Sequence, residues 1–397
     1  MRILQLCLKP PYPKIDGGCI AMSNLAEGLI NAGHEVDILA IATHKHPFQL
    51  EDFPLAITSQ GKVEAVFVNT KINLVDAFSA LITADSYNVS RFFSSDLDYM
   101  LIRWLAEKNY DVIQLESLFM TPYIPSIRKL SQAKLVLRSH NLEHLIWERL
   151  ANTASRSPKK LYLKHLATRL KKYEVHIINE VDGIASISRK DTENFKKLAC
   201  KKPLKTIPFG INFSQTHFIK KVTQKPLHFF HLGAMNWQPN VEAVEYILQE
   251  IWPLIKTLDI RLSLAGKDMP EDLFSYEASN LSIEGLVPSA SEFMENKDVM
   301  IVPLLSGSGI RIKIIEGMAL GKVIITTTIG AEGIDYTNNK NIIIANTPKE
   351  FKQAIEMLCN SPEKVDEIGQ NARILIQKEH NNESAVEELI RFYNELK

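Results

Sequence analysis

Short apolar runs rich in β-branched residues alternate with helical patterns along this chain, and the alternation runs its course twice. A hairpin-built sheet would alternate polar and apolar residues, so this order prescribes βαβ units whose parallel strands are buried on both faces. Before Pro208 the strand candidates are residues 3–8, 36–41, 63–68, 112–115, 134–138 and 183–187. Helical periodicity lies between them, as over 21–31, which closes on Ala32-Gly33, a helix-ending signal. After Pro208 the pattern restarts, with strands at 227–232, 261–265, 281–283, 299–302, 323–327 and 342–344 and helices over 241–256, 289–295 and 310–320. The spacing predicts an α/β chain of two tandem doubly wound units. Residues 206–213, which hold Pro208 and Gly210, are the expected linker between an N-terminal domain, 1–208, and a C-terminal domain, 209–382.

Composition agrees with two globular domains. The 397 residues are 45% hydrophobic and 23% charged, which excludes a disordered, collagen-like or small disulfide-stapled chain. Cys7, Cys19, Cys200 and Cys359 are far apart and form no C-x-x-C pair, so a reducing cytoplasm is expected, with neither a zinc site nor a disulfide framework. The apolar start is too short for a signal peptide, and no other window is long enough for a membrane span. The 46 basic and 46 acidic side chains cancel and give no sign of a nucleic-acid partner. The cancellation hides unlike halves, however: 28 basic and 21 acidic side chains precede Pro208, and 18 and 25 follow it.

In open parallel sheets ligands bind beyond the carboxyl ends of the strands, so the loops after strand candidates carry the candidate chemistry. The first is the proline-rich stretch ending in Gly17-Gly18, where the backbone can approach an anion closely and a helix start follows. Its spacing departs from G-x-G-x-x-G, which argues against a dinucleotide clamp, and a plain tight turn is the competing reading. The second is Arg138-Ser-His140-Asn141, where His140 can exchange a proton or bind a sugar hydroxyl; Glu116 ends a neighbouring strand and suits a polyol. The third is Gly233-Ala-Met-Asn236, a phosphate-compatible turn with no cation of its own.

The most specific segment is Ser306-Gly-Ser308-Gly309-Ile-Arg311-Ile-Lys313-Ile-Ile-Glu316. Cations avoid a helix N-terminus, whose dipole is already positive. Two cations in the expected first turn make sense where side chains and backbone N–H groups together hold a dianion. Glu316 stands among apolar neighbours, where a carboxylate needs polar partners such as ribose hydroxyls. A phosphate clamp beside a ribose-binding carboxylate reads as a nucleotide-diphosphate site.

These blocks, with Ala32-Gly33-His34-Glu35-Val36, the Pro208-Phe-Gly210 hinge and the Gly330-Ala-Glu-Gly333 loop, resemble GT-B-fold glycosyltransferases, and most closely glycosyltransferase family 4. The resemblance implies two Rossmann-like domains facing across a cleft, a nucleotide-sugar donor on the second and an acceptor on the first. It implies that the C-terminal helical pattern, about 383–397, packs back on the first domain. Gly17 and Gly18 would lie near the donor phosphates or the transferred sugar, His140 at the acceptor side of the reaction centre with Glu116, Arg138 and Asn141 around it, and Glu316 on the donor ribose. Gly233, Asn236, Ser308 and Gly309 would line the donor, and Arg311 and Lys313 would neutralise its diphosphate. Ser308 stands where the family has the first of two glutamates, and the Arg and Lys often found after the first donor-domain strand are missing, which leaves phosphate binding to Arg311 and Lys313.

The chemistry then expected is metal-independent, retaining transfer without a cofactor or side-chain nucleophile, from a nucleotide-diphosphate sugar to a glycan or lipid-linked glycan in bacterial-type surface polysaccharide synthesis. No metal ligand is assigned, for want of a metal-binding carboxylate pair such as Asp-x-Asp. A GT-B-type nucleotide-sugar epimerase, a dinucleotide-dependent dehydrogenase and a non-catalytic sugar-nucleotide-binding protein are the alternatives. Most of the basic excess lies between Arg138 and Lys205, where 16 Lys and Arg face 7 Asp and Glu. It includes Arg156, Lys159, Lys160, Lys164, Arg169, Lys171 and Lys172, so segment 156–172 is expected either to be a solvated basic helix or to meet an anionic membrane surface from the cytoplasm.

Overall fold

The computed structural model describes residues 1–69, 87–153, 158–213, 225–307 and 309–396. The chain forms two compact units, one of Met1–Gly210 with Asn382–Lys397 and one of Ile211–Asn381. Each builds a parallel sheet covered by helices.

Unit 1 contains β1 (Arg2–Cys7), β2 (Glu35–Ala42), β3 (Val63–Phe67), β4 (Val112–Glu116), β5 (Lys134–Ser139), β6 (Gly183–Ser186) and β7 (Leu204–Thr206). They pair in the order β3-β2-β1-β4-β5-β6-β7, every neighbour parallel. Strand side chains alternate in direction, so Leu4, Leu6, Leu39, Leu115 and Leu137 enter one buried layer while Ile3, Cys7, Val36, Ile38 and Val112 enter the other. Both faces are therefore dry, which is why the strands read as continuous apolar runs. The sequence did not reveal β7: Leu204-Lys-Thr206 is a half-buried edge strand with no apolar run, and it takes in the first residue of the expected linker.

The helix after β1 spans Gly17–Asn31 and starts four residues before its apolar periodicity does. Asp16 caps it, accepting from the Cys19 backbone N–H at 3.0 Å. Beyond its end Gly33 adopts φ +83°, a conformation that glycine takes without strain. The last helix, Asn382–Glu395, returns to this unit and lays Val386, Leu389 and Phe392 in the layer that holds Leu25 and Leu29. Its first residue is tied in, with Asn382 Nδ2 donating to the Asn24 carbonyl at 2.8 Å and Asn24 Nδ2 donating to the Gly210 carbonyl at 2.8 Å.

Unit 2 contains β8 (Leu227–Leu232), β9 (Ile260–Ala265), β10 (Leu281–Gly285), β11 (Val299–Val302), β12 (Val323–Thr326) and β13 (Ile343–Ile344), in the order β10-β9-β8-β11-β12-β13. The single helix expected over 241–256 is instead Gln238–Tyr246, a π-turn at Ile247–Ile251 and the short helix Trp252–Ile255. Pro253 explains the break, since it lacks the N–H that would continue the α-helical ladder. The helix expected from residue 310 begins at Ile312, with Arg311 at its N-cap. Among the described residues no helix is long and apolar enough to cross a membrane.

Leu389 is fully buried, so Leu389→Ala is expected to cost unit 1 about 2–5 kcal/mol through lost burial and a residual cavity. Hydrogen exchange should show the added opening in Asn382–Glu395 first; unchanged protection of that helix would contradict the packing.

Candidate functional site

The carboxyl ends of β4 and β5 bring Glu116 and His140 together. Their hydrogen bond, His140 Nε2 to Glu116 Oε2, is 2.8 Å long. Glu116 is only 1% exposed and also accepts from Gln5 Nε2 at 3.2 Å and from Gln114 Nε2. With its oxygens so occupied, Glu116 orients His140, and this corrects the expectation that it faces a polyol itself. Arg138 is likewise corrected. Its buried guanidinium donates to the Ile207 and Pro208 carbonyls at 2.5 and 3.3 Å, because a buried cation needs acceptors. Asn141 is half-buried, and its carbonyl accepts from Ser139 Oγ at 2.8 Å.

Gly17 and Gly18 form the first turn of their helix beside a network that sequence reasoning missed. Asp16 accepts from Lys9 Nζ at 2.6 Å on both oxygens and pairs with His46 Nε2 at 3.0 Å. These partners hold its carboxyl well below the usual range despite burial. A Cβ on Gly18 would lie 2.9 Å from Lys9 Nζ, so that glycine admits the lysine. Asp16, Cys19 and His46 place ligand-type atoms within 4.8 Å of one another, but the cation among them is the Lys9 ammonium. A lysine after β1, an acidic cap before paired glycines and a histidine after β2 were the available signals.

A second buried cluster involves the helix Glu143–Thr153, which follows His140 in the chain. The Glu174 carboxylate caps the helix Glu143–Thr153, accepting from the Glu143 and His144 N–H groups at 3.2 and 3.3 Å, and bonds His144 Nδ1 at 2.5 Å. Burial, helped by the neighbouring Glu174, pushes the Glu143 carboxyl up to about 8.

In unit 2, Gly307 and Gly309 take φ values of +105° and +82° after β11, which glycine alone adopts readily. Arg311 is buried, donates from Nη1 to the Gly309 carbonyl at 2.7 Å, and lies 5.4 Å from the centre of the Trp237 ring. Lys313 Nζ donates to the Leu232 carbonyl at 2.9 Å and to Asn240 Oδ1 at 2.8 Å, linking the helix after β11 to the end of β8. Burial, with Arg311 adding its charge, lowers the Lys313 ammonium to about 7. Gly233 is needed beneath this link, because a Cβ there would lie 2.6 Å from the Asn240 side chain. Asn236 sits in an exposed turn, Glu316 is half-buried in the second turn of its helix, and Ser308 lies outside the described residues. Asn240 and Glu242, the latter accepting from Ser306 Oγ at 2.6 Å, complete the cluster and carried no recognisable motif. The sequence does contain one Asp-x-Asp, Asp96-Leu-Asp98, but both carboxylates stand in the first turn of the helix Ser95–Glu107.

Two tandem doubly wound parallel sheets covered by helices are the architecture of GT-B glycosyltransferases. Comparison with known proteins agrees. The family model described as Glycosyltransferase Family 4 matches residues 15–215, more than half the chain, and that described as Glycosyl transferases group 1 matches residues 226–361. The chain belongs to glycosyltransferase family 4 and is a glycosyltransferase. An uncharacterized 44.6 kDa protein in the cps region of Klebsiella pneumoniae is 22% identical over 98% of this chain and 99% of its own length. Among solved structures, sucrose-phosphate synthase from Thermosynechococcus elongatus superposes with a TM-score of 0.74 at 15% identity, covering 100% of this chain and 99% of the other. Anabaena Alr3699/HepE in complex with UDP-glucose gives a TM-score of 0.69 at 12% identity and covers 100% of both chains.

Glu143 keeps its proton up to about pH 8 in the folded unit, against an ordinary value of 4.5. Between those values the folded state holds more protons than the unfolded chain, so stability falls as pH rises across the window. Glu143→Gln is expected to flatten that slope and to raise the melting midpoint near pH 8. Melting curves at several pH values check both.

Proposed function

We propose that this glycosyltransferase takes its glycosyl unit from a nucleotide-diphosphate sugar, with Arg311 and Lys313 neutralising the diphosphate and Glu316 holding the ribose. The observation that carries this reading is the placement of two cations behind the positive-φ glycines Gly307 and Gly309, with Lys313 anchored to the end of β8. Gly233, Asn236, Ser308 and Gly309 supply the lining of the donor site in this reading. The complexes of Anabaena Alr3699/HepE with UDP and with UDP-glucose support it through likeness of fold.

Transfer breaks the bond from the anomeric carbon to the phosphate oxygen, and that oxygen keeps the electron pair. Fixed cations that meet the developing charge lower the barrier, and removing one donor of this kind typically costs about 10²–10³ in rate. Lys313 is placed to act in this way, since two of its N–H groups fix its position on Leu232 and Asn240 and the ammonium has a third to offer. His140 orients the acceptor hydroxyl, with Glu116 positioning its ring, while Gly17 and Gly18 keep the backbone near the transferred group. In a retaining, metal-independent reaction the leaving phosphate takes the acceptor proton, so no cofactor is required.

The acceptor in this proposal is a glycan or lipid-linked glycan of bacterial-type surface polysaccharide synthesis, a reading supported by the cps-region relative. The enzyme would work in the cytoplasm at the inner face of the membrane. The helix Pro158–Ile177 presents Lys164, Lys171, Lys172 and the 74% exposed Leu161, a combination suited to an anionic surface; Arg156 lies outside the described residues.

Arg311→Ala and Lys313→Ala should each lower kcat/KM by about 10²-fold or more, read as nucleotide release from a nucleotide sugar. Wild-type rates in both would overturn the assignment. Because Lys313 sits near 7, binding of UDP at about pH 8 should take up a proton. Calorimetry in buffers of different ionisation enthalpy measures that uptake, which Lys313→Met should abolish. Vesicles containing anionic lipid should sediment the protein where neutral vesicles do not; equal binding would remove the membrane surface from the proposal.

A further inference from the structure

A row of polar side chains crosses the apolar layer beneath the last helix. In the parallel register Gln5 of β1 pairs with Gln114 of β4, and Glu116 of β4 pairs with Arg138 of β5. Ile3, Val112 and Val136, two residues earlier on the same strands, lie in the layer that also takes Leu389, Phe392 and Tyr393 from the helix Asn382–Glu395. Alternation along a strand therefore turns the four polar side chains into that layer, where none is more than 3% exposed. Burying such groups is costly even when they are paired, and apolar residues of like size would fill the layer at less cost.

The row is connected, and it ends at His140. Tyr393 Oη donates to Gln114 Oε1, Gln114 Nε2 donates to Glu116 Oε1, and His140 Nε2 meets Glu116 Oε2 at 2.8 Å. Gln5 Nε2 gives Glu116 Oε1 a second donor at 3.2 Å. Charge fixes the direction of each bond. A glutamine amide has one donating and one accepting end, and the carboxylate takes the donating end of Gln114, which leaves its oxygen for the tyrosine hydroxyl. Burial, with the Glu116 charge adding to it against Arg138, raises the Tyr393 phenol well above its ordinary value, so Tyr393 keeps the proton it donates.

Loss of that hydroxyl frees Gln114 to turn its oxygen toward Glu116, replacing a donor by a repelling dipole. Hydrogen bonds to an ionised carboxylate favour its charged form, so with fewer of them the Glu116–His140 pair takes up a proton more readily. Arg138 from β5 and Cys7 from β1 also face Glu116, and the loss leaves both in place. We propose that Tyr393 is a positioning residue for His140, acting through Gln114 on the carboxylate that holds the histidine ring. The proposal rests on the reading that His140 orients the acceptor hydroxyl, and it adds the last helix to the parts that set the state of that histidine.

The test follows the His140 ring resonances of the full ¹⁵N-labelled chain against pH, identified by their loss in His140→Ala. Tyr393→Phe keeps the ring in the packed layer and removes only the hydroxyl. The pH at which His140 takes up its proton is expected to rise by about one unit in this variant. Gln114→Leu should give a similar rise, and Tyr393→Phe added to it should give no more, because the hydroxyl acts through that amide. At pH 7 kcat of Tyr393→Phe should fall severalfold while KM for the nucleotide sugar stays at the wild-type value. An unmoved His140 midpoint in either variant that melts like the wild type, or additive shifts in the double variant, would overturn the proposal. Wild-type turnover in His140→Ala would instead overturn the acceptor reading, with the ring titration still deciding whether Tyr393 acts on the histidine.

Discussion

In each unit the first strand is hydrogen-bonded on both sides, β1 between β2 and β4, β8 between β9 and β11, and all these pairings are parallel. Parallel pairing sends every strand's carboxyl end the same way, and the loops that leave two adjacent central strands part from each other there. The chemistry-bearing residues of this chain are distributed by that constraint. His140 and Glu116 leave β5 and β4, the capped glycines leave β1, and Lys313 bridges from the chain after β11 to the last residue of β8. Without the shared polarity of the strands, residues as far as 81 positions apart, such as Lys313 and Leu232, would not meet.

Burial then sets how the charged groups behave. Arg138 and Lys313 are cations in dry surroundings, and both resolve the cost by donating to main-chain carbonyls. The outcomes differ. Arg138 is spent on Ile207 and Pro208, whereas Lys313, held on a carbonyl and an amide oxygen, keeps donor capacity. Carboxylates divide in the same way: Asp16 is held ionised by Lys9 and His46, while Glu143 is held protonated by burial beside Glu174. Local polarity, rather than the balanced total of 46 basic and 46 acidic groups, governs each of these states.

Most of the strands were legible because burial on both faces demands uninterrupted apolar runs. Strand β7 was not, since an edge strand needs no such run, and the π-turn at Ile247–Ile251 was hidden inside a pattern whose apolar spacing continued past it. In the site, glycine loops and the Arg311–Lys313 pair stood out by their conflict with helix electrostatics. Asn240, Glu242 and His46 did not, because each acts through a neighbour that is distant in sequence.

The sequence by itself determined two parallel α/β units, since hydrophobic periodicity is a local property of a chain, and it pointed to the loops after their strands as candidate sites. Tertiary structure alone decided that Glu116 faces His140 and that Arg138 is turned inward. Those outcomes depend on which side chains share a buried space, and strand order and packing settle that, whereas spacing along the chain does not.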